Sequence, residues 1–370
     1  MIARLYVPLP YTFWILQDTV LAPLESDWGD YQVIVYPLCQ ARVGLDYTKG
    51  ESPMSVLEVV ESLRPSDTPI VTDCILVDGS PIIQANLLQI DFRKPDFDRR
   101  PPTEPMGGDP PIELVLEIVN DFLGALRSVA QAGHVKPLDP LSVWRLDYLA
   151  DDGSELPAKE GLIQGRFASG FHWQVSVLNE AIWDGVRAVI PGYKSSTWET
   201  LLLDAKALLP EVGPALVLAF TALETLIAAT LEQLVSQIDM PDGLWQWIND
   251  RGDYRKEPSV EEKFDILLSA LANKSLKEEG HLWKAFKNLK EARNSFVHEG
   301  RAVLGKNKEE VTPEKASSLI AKARDIVRWV EPLLPSEMRS LGIEQRFDVE
   351  VSKQLAPPSG TERGHADEAA

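Results

Sequence analysis

The feature that most constrains this chain is a change in its hydrophobic pattern at Pro191-Gly192. Before this point, the apolar runs are short and rich in β-branched and aromatic residues, which is typical of strands. After it, apolar residues recur every three or four positions, which is typical of amphipathic helices. A chain of 370 residues is long enough for two hydrophobic cores. We therefore predict an α+β fold with a strand-rich α+β domain over residues 1–192, followed by an all-α helical-bundle domain over residues 196–335.

Four segments of the first domain predict strands. They read RLYVPLP, YQVIVYPL, PIVTDCILVDGSPII and FHWQVSVL. Within the third, Asp78 and Gly79 supply a turn signal that divides it into two strands. Cys39 and Cys74 also lie in strand-like runs, and two cysteines are too few for a disulfide framework. We expect both to be buried, reduced thiols.

One helix is predicted inside this first domain, opening at Asp109-Pro110. Its apolar positions recur at helical spacing from Ile112 to Val129, and Gly133 follows as the expected cap. The preceding segment from Arg93, RKPDFDRRPPTEPMGGDPP, is too rich in proline and glycine for regular structure. We expect it to be a long surface loop.

Three helix starts can be recognised in the second domain. They are two capping boxes, Ser196 with Glu199 and Ser259 with Glu262, and Thr312 before Pro313. A bundle of about five helices is the simplest fit. Residues 350–370 contain almost nothing to bury, so they predict a disordered tail.

The helix from His281 to Glu299 carries the residues with the clearest chemical meaning. Its predicted inner face is Leu282, Phe286, Leu289, Phe296 and Val297, and Arg293 falls on that same face. Asn294 and His298 are four positions apart, so their side chains stack on one side of the helix. Gly300 is the expected cap, which places His298 in the last turn, where the helix dipole favours a protonated imidazole.

Two further charge patterns bear on this helix. Glu224 is the only charge between Gly213 and Thr230, and we predict that it is buried and paired with Arg293. Around the helix the charge balance of the acidic chain reverses, which suggests a phosphate-bearing ligand. The candidate RNA-binding residues are Lys284, Lys287, Lys290 and Arg301. Between positions 284 and 308 the only acidic residues are Glu291 and Glu299.

The motif RNSFVH, with Glu224 in TALETL upstream, resembles the signature of the HEPN family and is most similar to its Apea-like group from prokaryotic defence systems. The resemblance covers about 140 residues. It implies an α-helical, usually homodimeric domain that cleaves RNA without a metal. It also implies that Arg293 and His298 are the catalytic pair, with Asn294 and Glu224 in support. The chain would then be a defence or toxin effector. From the two-domain architecture alone, we expect its first domain to bind a regulatory ligand or partner.

The spacing of arginine and histidine alone is a weak signal in this chain. Arg127 with His134 and Arg166 with His172 satisfy the same loose spacing. Neither pair has asparagine after the arginine, so we expect both to be structural. The alternative for RNSFVH itself is a non-catalytic module that binds RNA or a protein partner.

Charge, hydropathy and motif content exclude several other classes of protein. A net charge of -19 argues against a protein that coats nucleic acid non-specifically. We see no secretory signal and no uninterrupted membrane-spanning run, so we expect a cytoplasmic protein without a membrane contact. No metal-ligand spacing and no nucleotide-binding glycine loop occur, so we expect neither a metal nor a cofactor.

Overall fold

The computed structural model describes residues 1–41, 63–99, 108–138, 144–156, 176–238, 240, 242–249, 258–343 and 348–351. The mixed α+β class predicted from the sequence is confirmed. Nine strands of the described residues form one mainly antiparallel sheet, and the helices that follow Pro191-Gly192 pack around a second hydrophobic core.

The strands of the large sheet vary widely in length. Two of them, β1 and β5, are much longer than the rest and form its centre. The strands are β1 (Ile2–Leu16), β2 (Leu24–Trp28), β3 (Tyr31–Val35), β4 (Val71–Val77), β5 (Ser80–Arg93), β6 (Arg145–Leu149), β7 (Glu155–Leu156), β8 (Ser176–Leu178) and, near the C-terminus, β11 (Val349–Val351).

The path of the sheet runs β11-β4-β5-β1-β6-β7, with β2 and β3 forming a hairpin beside β5 and β8 pairing parallel to β1. The predicted turn at Asp78-Gly79 joins β4 to β5, and both residues have positive φ, as this hairpin turn requires. Between Pro8 and Phe13 the β1–β5 register shifts. Each long strand also has different outer neighbours at its two ends: β6 and β8 for β1, and β3 and β4 for β5.

The core of the sheet lies on one face, under two helices. In β1 the odd-numbered residues from Ala3 to Ile15 all point into this core, which is the period-two pattern expected of a half-buried strand. Helices α1 (Ile112–Val129) and α2 (Glu180–Arg187) cover it. The predicted helix from Ile112 to Val129 is therefore confirmed.

Of two predictions beside α1, one is wrong and the other is confirmed in part. The helix is capped by Ala130, and Gly133 instead lies against α3 (Thr197–Leu208), where a Cβ atom would collide with the backbone of Leu203. The segment after Arg93 has no regular structure over residues 94–99, as predicted, but Phe97 is buried in the core of the sheet, so the segment does not lie wholly at the surface. Residues 100–107 lie outside the described part of the chain.

The helices after Pro191-Gly192 enclose the second core. They are α3, α4 (Val212–Ser236), α5 (Asp242–Asn249), α6 (Val260–Glu262), α7 (Leu268–Ala272), α8 (Gly280–Glu299) and α9 (Pro313–Val330). A π-helical segment, Lys263–Leu267, joins α6 and α7 into one continuous helix. A small hairpin of β9 (Val303–Leu304) and β10 (Glu309–Glu310) connects α8 to α9.

The three predicted helix starts have different outcomes. Ser259 and Glu262 form the capping box, and the Thr312 hydroxyl accepts from the backbone N–H of Lys315. At the start of α3, Ser196 is in the cap position, but its side chain makes no cap hydrogen bond. Its expected partner Glu199 is buried and accepts hydrogen bonds from other groups, so this predicted capping box is wrong.

Helix α4 is the one described helix that is long and apolar enough to cross a membrane. Half of its most apolar window is buried inside the protein, against the other helices of the second core. This packing favours a core helix over a membrane span, as predicted from the charge at Glu224.

The prediction for the C-terminal tail is wrong at its beginning. Glu350 lies in β11, which pairs with β4. The residues from 352 onwards lie outside the described part of the chain. Cys39 and Cys74 are both free thiols, but each is half-buried rather than fully buried.

Candidate nucleic-acid site

Helix α8 presents the candidate site at its C-terminal end. Its buried residues are Leu282, Ala285, Phe286, Leu289 and Ala292. The helix ends as predicted at Gly300, whose φ of 73° is the left-handed conformation that glycine adopts without strain. Val297 was predicted on the inner face, but its side chain is 52% exposed, so that assignment is wrong.

Arg293 is half-buried, and its guanidinium lies over an aromatic ring of α4. Its Cζ atom is 5.4 Å from the centroid of the Phe220 ring. Its Nη1 donates a hydrogen bond of 3.0 Å to Oδ1 of Asn294. The Nε–H group is buried and has no hydrogen-bond partner in the described part of the protein. An unpaired buried donor costs free energy, so a hydrogen bond from this group to an acceptor would be favourable.

The predicted contact between Glu224 and Arg293 does not form. Among the described residues, no hydrogen bond or ion pair joins the two side chains, and Glu224 is only half-buried. Helical periodicity predicts which residues share a face, but it does not predict how two packed helices are rotated against each other. In this bundle Phe220, one turn before Glu224, takes the position against the guanidinium.

His298 lies in the last turn of α8, as predicted, and its side chain is exposed. It makes no hydrogen bond or ion pair with any residue that the structure describes. One helical turn separates it from Asn294, a rise of about 6 Å. The imidazole is therefore accessible to solvent.

The local excess of positive charge is smaller than the sequence suggests. Lys287 and Lys290 donate to Oε1 of Glu261 at 2.7 and 2.6 Å. These two hydrogen bonds lower the pKa of Glu261. Glu261 lies at the start of the continuous helix α6–α7 and was not part of the predicted site. The sequence could not place it there because it is 26 residues from Lys287.

The other candidate cations remain exposed. Lys284 and Arg301 both reach solvent, and the carbonyl group of Arg301 accepts a hydrogen bond of 2.7 Å from Oγ of Ser295. This bond holds the chain after Gly300 against the end of α8. Lys308 forms an ion pair of 3.0 Å with Glu299 and so adds no net charge.

Gly213 is a positioning residue that the sequence analysis did not identify. It lies in the first turn of α4, and a Cβ atom there would collide with the ring of Phe296 on α8. The glycine thus permits the close approach of the helix end that carries His298. A glycine inside an otherwise apolar helix was the available signal.

A surface cavity of about 460 Å³ lies beside this contact. Gly213, Phe296, Gly300 and Arg301 are among the residues that line it. The cavity lies at the end of α8 on which the candidate site lies, and its lining carries one cation, Arg301, and one carboxylate, Glu310.

The weaker arginine–histidine pair that the structure describes is structural, as expected. Nη2 of Arg127 donates to Asp204 at 2.6 Å, and His134 is buried against the rings of Tyr11 and Phe13. Arg166 and His172 lie outside the described residues. Within the described ranges, no three His, Cys, Asp or Glu side chains group together as a metal site would require.

Comparisons with protein-family models, with curated proteins and with solved structures find no match to this chain. The geometry of α8 and the resemblance of its motif therefore carry the functional argument.

Proposed function

We propose that Arg293, Asn294 and His298 form a metal-independent ribonuclease site in a domain of HEPN type. The observation that carries this proposal is the set of contacts that the Arg293 guanidinium makes and the one donor that it leaves unpaired. The guanidinium is held by Phe220 and Asn294, yet keeps one buried N–H donor without a partner, and an exposed histidine follows on the next turn. A preorganised donor of this kind is suited to the charge that develops on a phosphate.

The reaction that fits these residues uses the nucleophile that RNA itself supplies. The 2′-oxygen attacks the adjacent phosphorus, and the bond from phosphorus to the 5′-oxygen breaks. Arg293 stabilises the negative charge on the phosphate oxygens. His298 donates a proton to the departing 5′-oxygen, while a base removes the proton of the 2′-hydroxyl. The products are a 2′,3′-cyclic phosphate and a 5′-hydroxyl.

A single histidine does not conveniently supply both the acid and the base. In a two-fold homodimer, a second copy of His298 could face the same groove and act as the base. The exposed side chain of Val297 beside His298 gives this end of α8 an apolar surface on which a second copy could pack. We include the homodimer, and a role as a defence or toxin effector regulated through residues 1–192, in the proposal.

A second candidate function is a non-catalytic module that binds RNA or a protein. Two observations favour it. The guanidinium of Arg293 contacts Phe220 and Asn294 within its own protein, which is a structural role. Glu261 pairs with two lysines that would bind RNA and offsets one of their two charges.

The experiment that separates the two functions is cleavage of labelled RNA by the purified protein in EDTA. The matched variants are His298→Ala and His281→Ala, since both histidines are exposed and lie at opposite ends of α8. The ribonuclease proposal expects cleavage that persists in the His281 variant and falls by about 100-fold or more in the His298 variant. Cleavage that survives His298→Ala, or that requires magnesium, contradicts it. Binding without cleavage supports the module.

A further inference from the structure

Three parts of the second domain build the cavity of about 460 Å³ at the end of α8. Phe296 and Gly300 belong to the end of α8, and Gly213 belongs to the first turn of α4. Arg301 and Glu310 belong to the segment between α8 and α9. The volume falls within the range of about 300–1,000 Å³ that is typical of small-molecule sites. A single nucleobase is a ligand of suitable size for it.

The backbone that carries the two charged residues of the cavity is held by hydrogen bonds. Oγ of Ser295 donates to the carbonyl of Arg301 at 2.7 Å. The backbone N–H of Val311 donates to the carbonyl of Ala302 at 2.9 Å, and both of these residues are buried in the second core. Arg301 and Glu310 are the chain neighbours of this pair. Their backbones are therefore positioned before a ligand binds, which lowers the entropic cost of binding.

The two charged side chains of the cavity have opposite signs. Arg301 and Glu310 are exposed, and neither side chain forms a hydrogen bond or an ion pair with another residue that the structure describes. They differ in this respect from Lys287 and Lys290, which are engaged by Glu261. Towards the described part of the protein, the guanidinium thus keeps all its donors and the carboxylate all its acceptors.

Phe296 gives the cavity an aromatic wall. Its ring lies so close to the Cα of Gly213 that a Cβ atom there would collide with it. The side chain is half-buried and lines the cavity, so part of the ring is open to a ligand. Unstacked bases of single-stranded RNA bind to proteins by stacking on rings of this kind. The cavity therefore combines a stacking surface with one hydrogen-bond donor group and one acceptor group.

Guanine is the RNA base whose polar edges match this set of groups. Its N1–H and N2 amino groups are adjacent donors, which suit the two oxygens of a carboxylate. Its O6 and N7 atoms are adjacent acceptors, which suit the two parallel donors of a guanidinium. Adenine, cytosine and uracil each lack at least one of these pairs. Guanine is therefore the base that can use Arg301 and Glu310 together.

We propose that this cavity binds a guanine base of the RNA strand that occupies the candidate site. Glu310 accepts from N1 and N2 of the base, Arg301 donates to O6 and N7, and the ring of Phe296 stacks on it. The proposal rests on the proposed function, because the cavity adjoins His298, which lies two residues from both Phe296 and Gly300. It makes the ribonuclease selective for a phosphodiester beside a guanosine.

The test measures base recognition separately from cleavage. Its probes are 2′-O-methyl RNA heptamers, which the proposed reaction cannot cleave because their 2′-oxygens are blocked. Fluorescence anisotropy with the full-length protein compares a uridine heptamer that has one central guanosine with two matched strands. One carries inosine, which lacks the N2 amino group, and the other carries 7-deazaguanosine, which lacks N7. The wild-type protein should bind the guanosine strand about tenfold more tightly than either analogue.

Two variants assign each preference to one side chain. Glu310→Ala should abolish the difference between guanosine and inosine, and Arg301→Ala should abolish the difference between guanosine and 7-deazaguanosine. The matched controls are Glu309→Ala and Lys306→Ala, which change exposed residues of the same hairpin outside the cavity lining. Both controls should keep both differences. All four residues are exposed, so the variants should fold normally, which circular dichroism checks.

The proposal is overturned if the wild-type protein binds none of the heptamers or binds the three strands equally. A preference for guanosine that survives both Glu310→Ala and Arg301→Ala overturns it as well. Unmodified RNA distinguishes this proposal from the ribonuclease proposal. Cleavage without selectivity for guanosine supports the ribonuclease and overturns the guanine site. Guanosine-selective binding without cleavage supports the guanine site and favours the non-catalytic module.

Discussion

At the scale of single residues, Glu261 controls how much positive charge α8 offers to a ligand. It accepts hydrogen bonds from both Lys287 and Lys290, so neither lysine is free to contact a phosphate at full strength. A ligand that binds through these lysines must first separate them from Glu261. The acidic partner thus sets the affinity of the surface for nucleic acid, although it lies on another helix.

We predict that Glu261→Gln strengthens RNA binding. Removing the charge should raise the affinity roughly fivefold at low salt and steepen its salt dependence, because two more cations become available. A fluorescence-anisotropy titration over a salt series measures both quantities. Glu180→Gln, an exposed acidic residue on α2, is the charge-matched control. Unchanged affinity in the Glu261 variant would show that these lysines do not contact RNA.

Glu261→Gln should also lower the free energy of unfolding. The two lysines lower the pKa of Glu261, so its contribution to stability is present above the pKa of an unfolded carboxyl group and is lost as the pH falls through the lower, folded value. We expect the variant to lose about 0.5 kcal/mol of unfolding free energy at neutral pH, since both pairs are partly exposed.

The pKa of Glu199 is shifted in the opposite direction to that of Glu261. Burial raises its pKa, against the hydrogen bonds from Tyr193, Gln131 and Ser195 and the charge of Arg324. Between the ordinary pKa of a carboxyl group and this raised value, the folded protein binds a proton that the unfolded chain does not. Stability therefore falls as the pH rises through this window. Burial and the neighbouring carboxylate of Glu199 in turn raise the pKa of Tyr193 to about 12.

We predict that Glu199→Gln flattens this pH dependence, because the amide is neutral at every pH. Its oxygen can still accept from Gln131, and its NH2 group can donate to the hydroxyls of Tyr193 and Ser195. Glu199→Ala should instead lose about 1–3 kcal/mol at all pH values, since three donors lose their acceptor. Urea unfolding over a pH series from about 5 to about 8 distinguishes them. A glutamine variant with the same slope as the wild-type protein would mean that another group causes the pH dependence.

At the scale of secondary-structure elements, the sequence identifies helices better than it identifies the contacts between them. Ser259 and Ser196 show why. Both precede a glutamate by three residues, but only Ser259 forms a capping box. Glu199 is drawn into the buried network with Gln131, which is 68 residues away. A local pattern predicts a local bond, and a long-range partner can displace it.

The candidate site shows the same limit. Helical spacing correctly placed His298 in the last turn and Gly300 at the cap. It failed for Val297 and for the partner of Arg293, because both depend on how α8 is rotated against α4. Gly213 contributes to this arrangement by allowing Phe296 to approach the start of α4.

We predict that Gly213→Ala destabilises the protein by about 1–3 kcal/mol, because the added methyl group overpacks the contact with Phe296. Gly124→Ala is the matched control, since Gly124 also lies within a helix but has open space around its Cα. That substitution should be neutral or slightly stabilising. Thermal unfolding of both variants checks the difference. If the two variants behave alike, the close approach of α4 and α8 is not the reason for the glycine.

At the scale of the whole molecule, the two hydrophobic cores are joined by polar contacts that no sequence pattern predicts. Asp204 on α3 accepts hydrogen bonds of 2.6 Å from Arg127 at the end of α1 and of 2.5 Å from Lys136. The backbone N–H of Ile343, which follows α9, donates to the carbonyl of Val129 at 3.0 Å and packs the chain after α9 against the first core. These partners are far apart in the sequence, and their pairing depends on the packing of both cores. The sequence therefore predicts the secondary structure around each hydrophobic core, but it does not predict the contacts between the two cores.

The charge of Asp204 matters most because Arg127 is nearly buried. Only 12% of the Arg127 side chain is exposed, so removal of the carboxylate leaves a desolvated guanidinium without this partner. Burial by itself would raise the pKa of Asp204, but the hydrogen bond from Lys136 and the charge of Arg127 lower it. Its contribution is thus present above the pKa of an unfolded carboxyl group and is lost as the pH falls through the folded value.

We predict that Asp204→Ala costs about 1–3 kcal/mol at neutral pH and weakens the coupling between the two cores. Differential scanning calorimetry should show a lower and broader transition than in the wild-type protein. Asp184→Ala is the control, because Asp184 forms an exposed pair with Arg187 inside α2 and should cost less than about 0.5 kcal/mol. At a pH of about 3 the difference between wild type and Asp204→Ala should shrink, since protonation removes the same charge. A difference that stays constant down to that pH would mean that Asp204 acts through packing rather than through its charge.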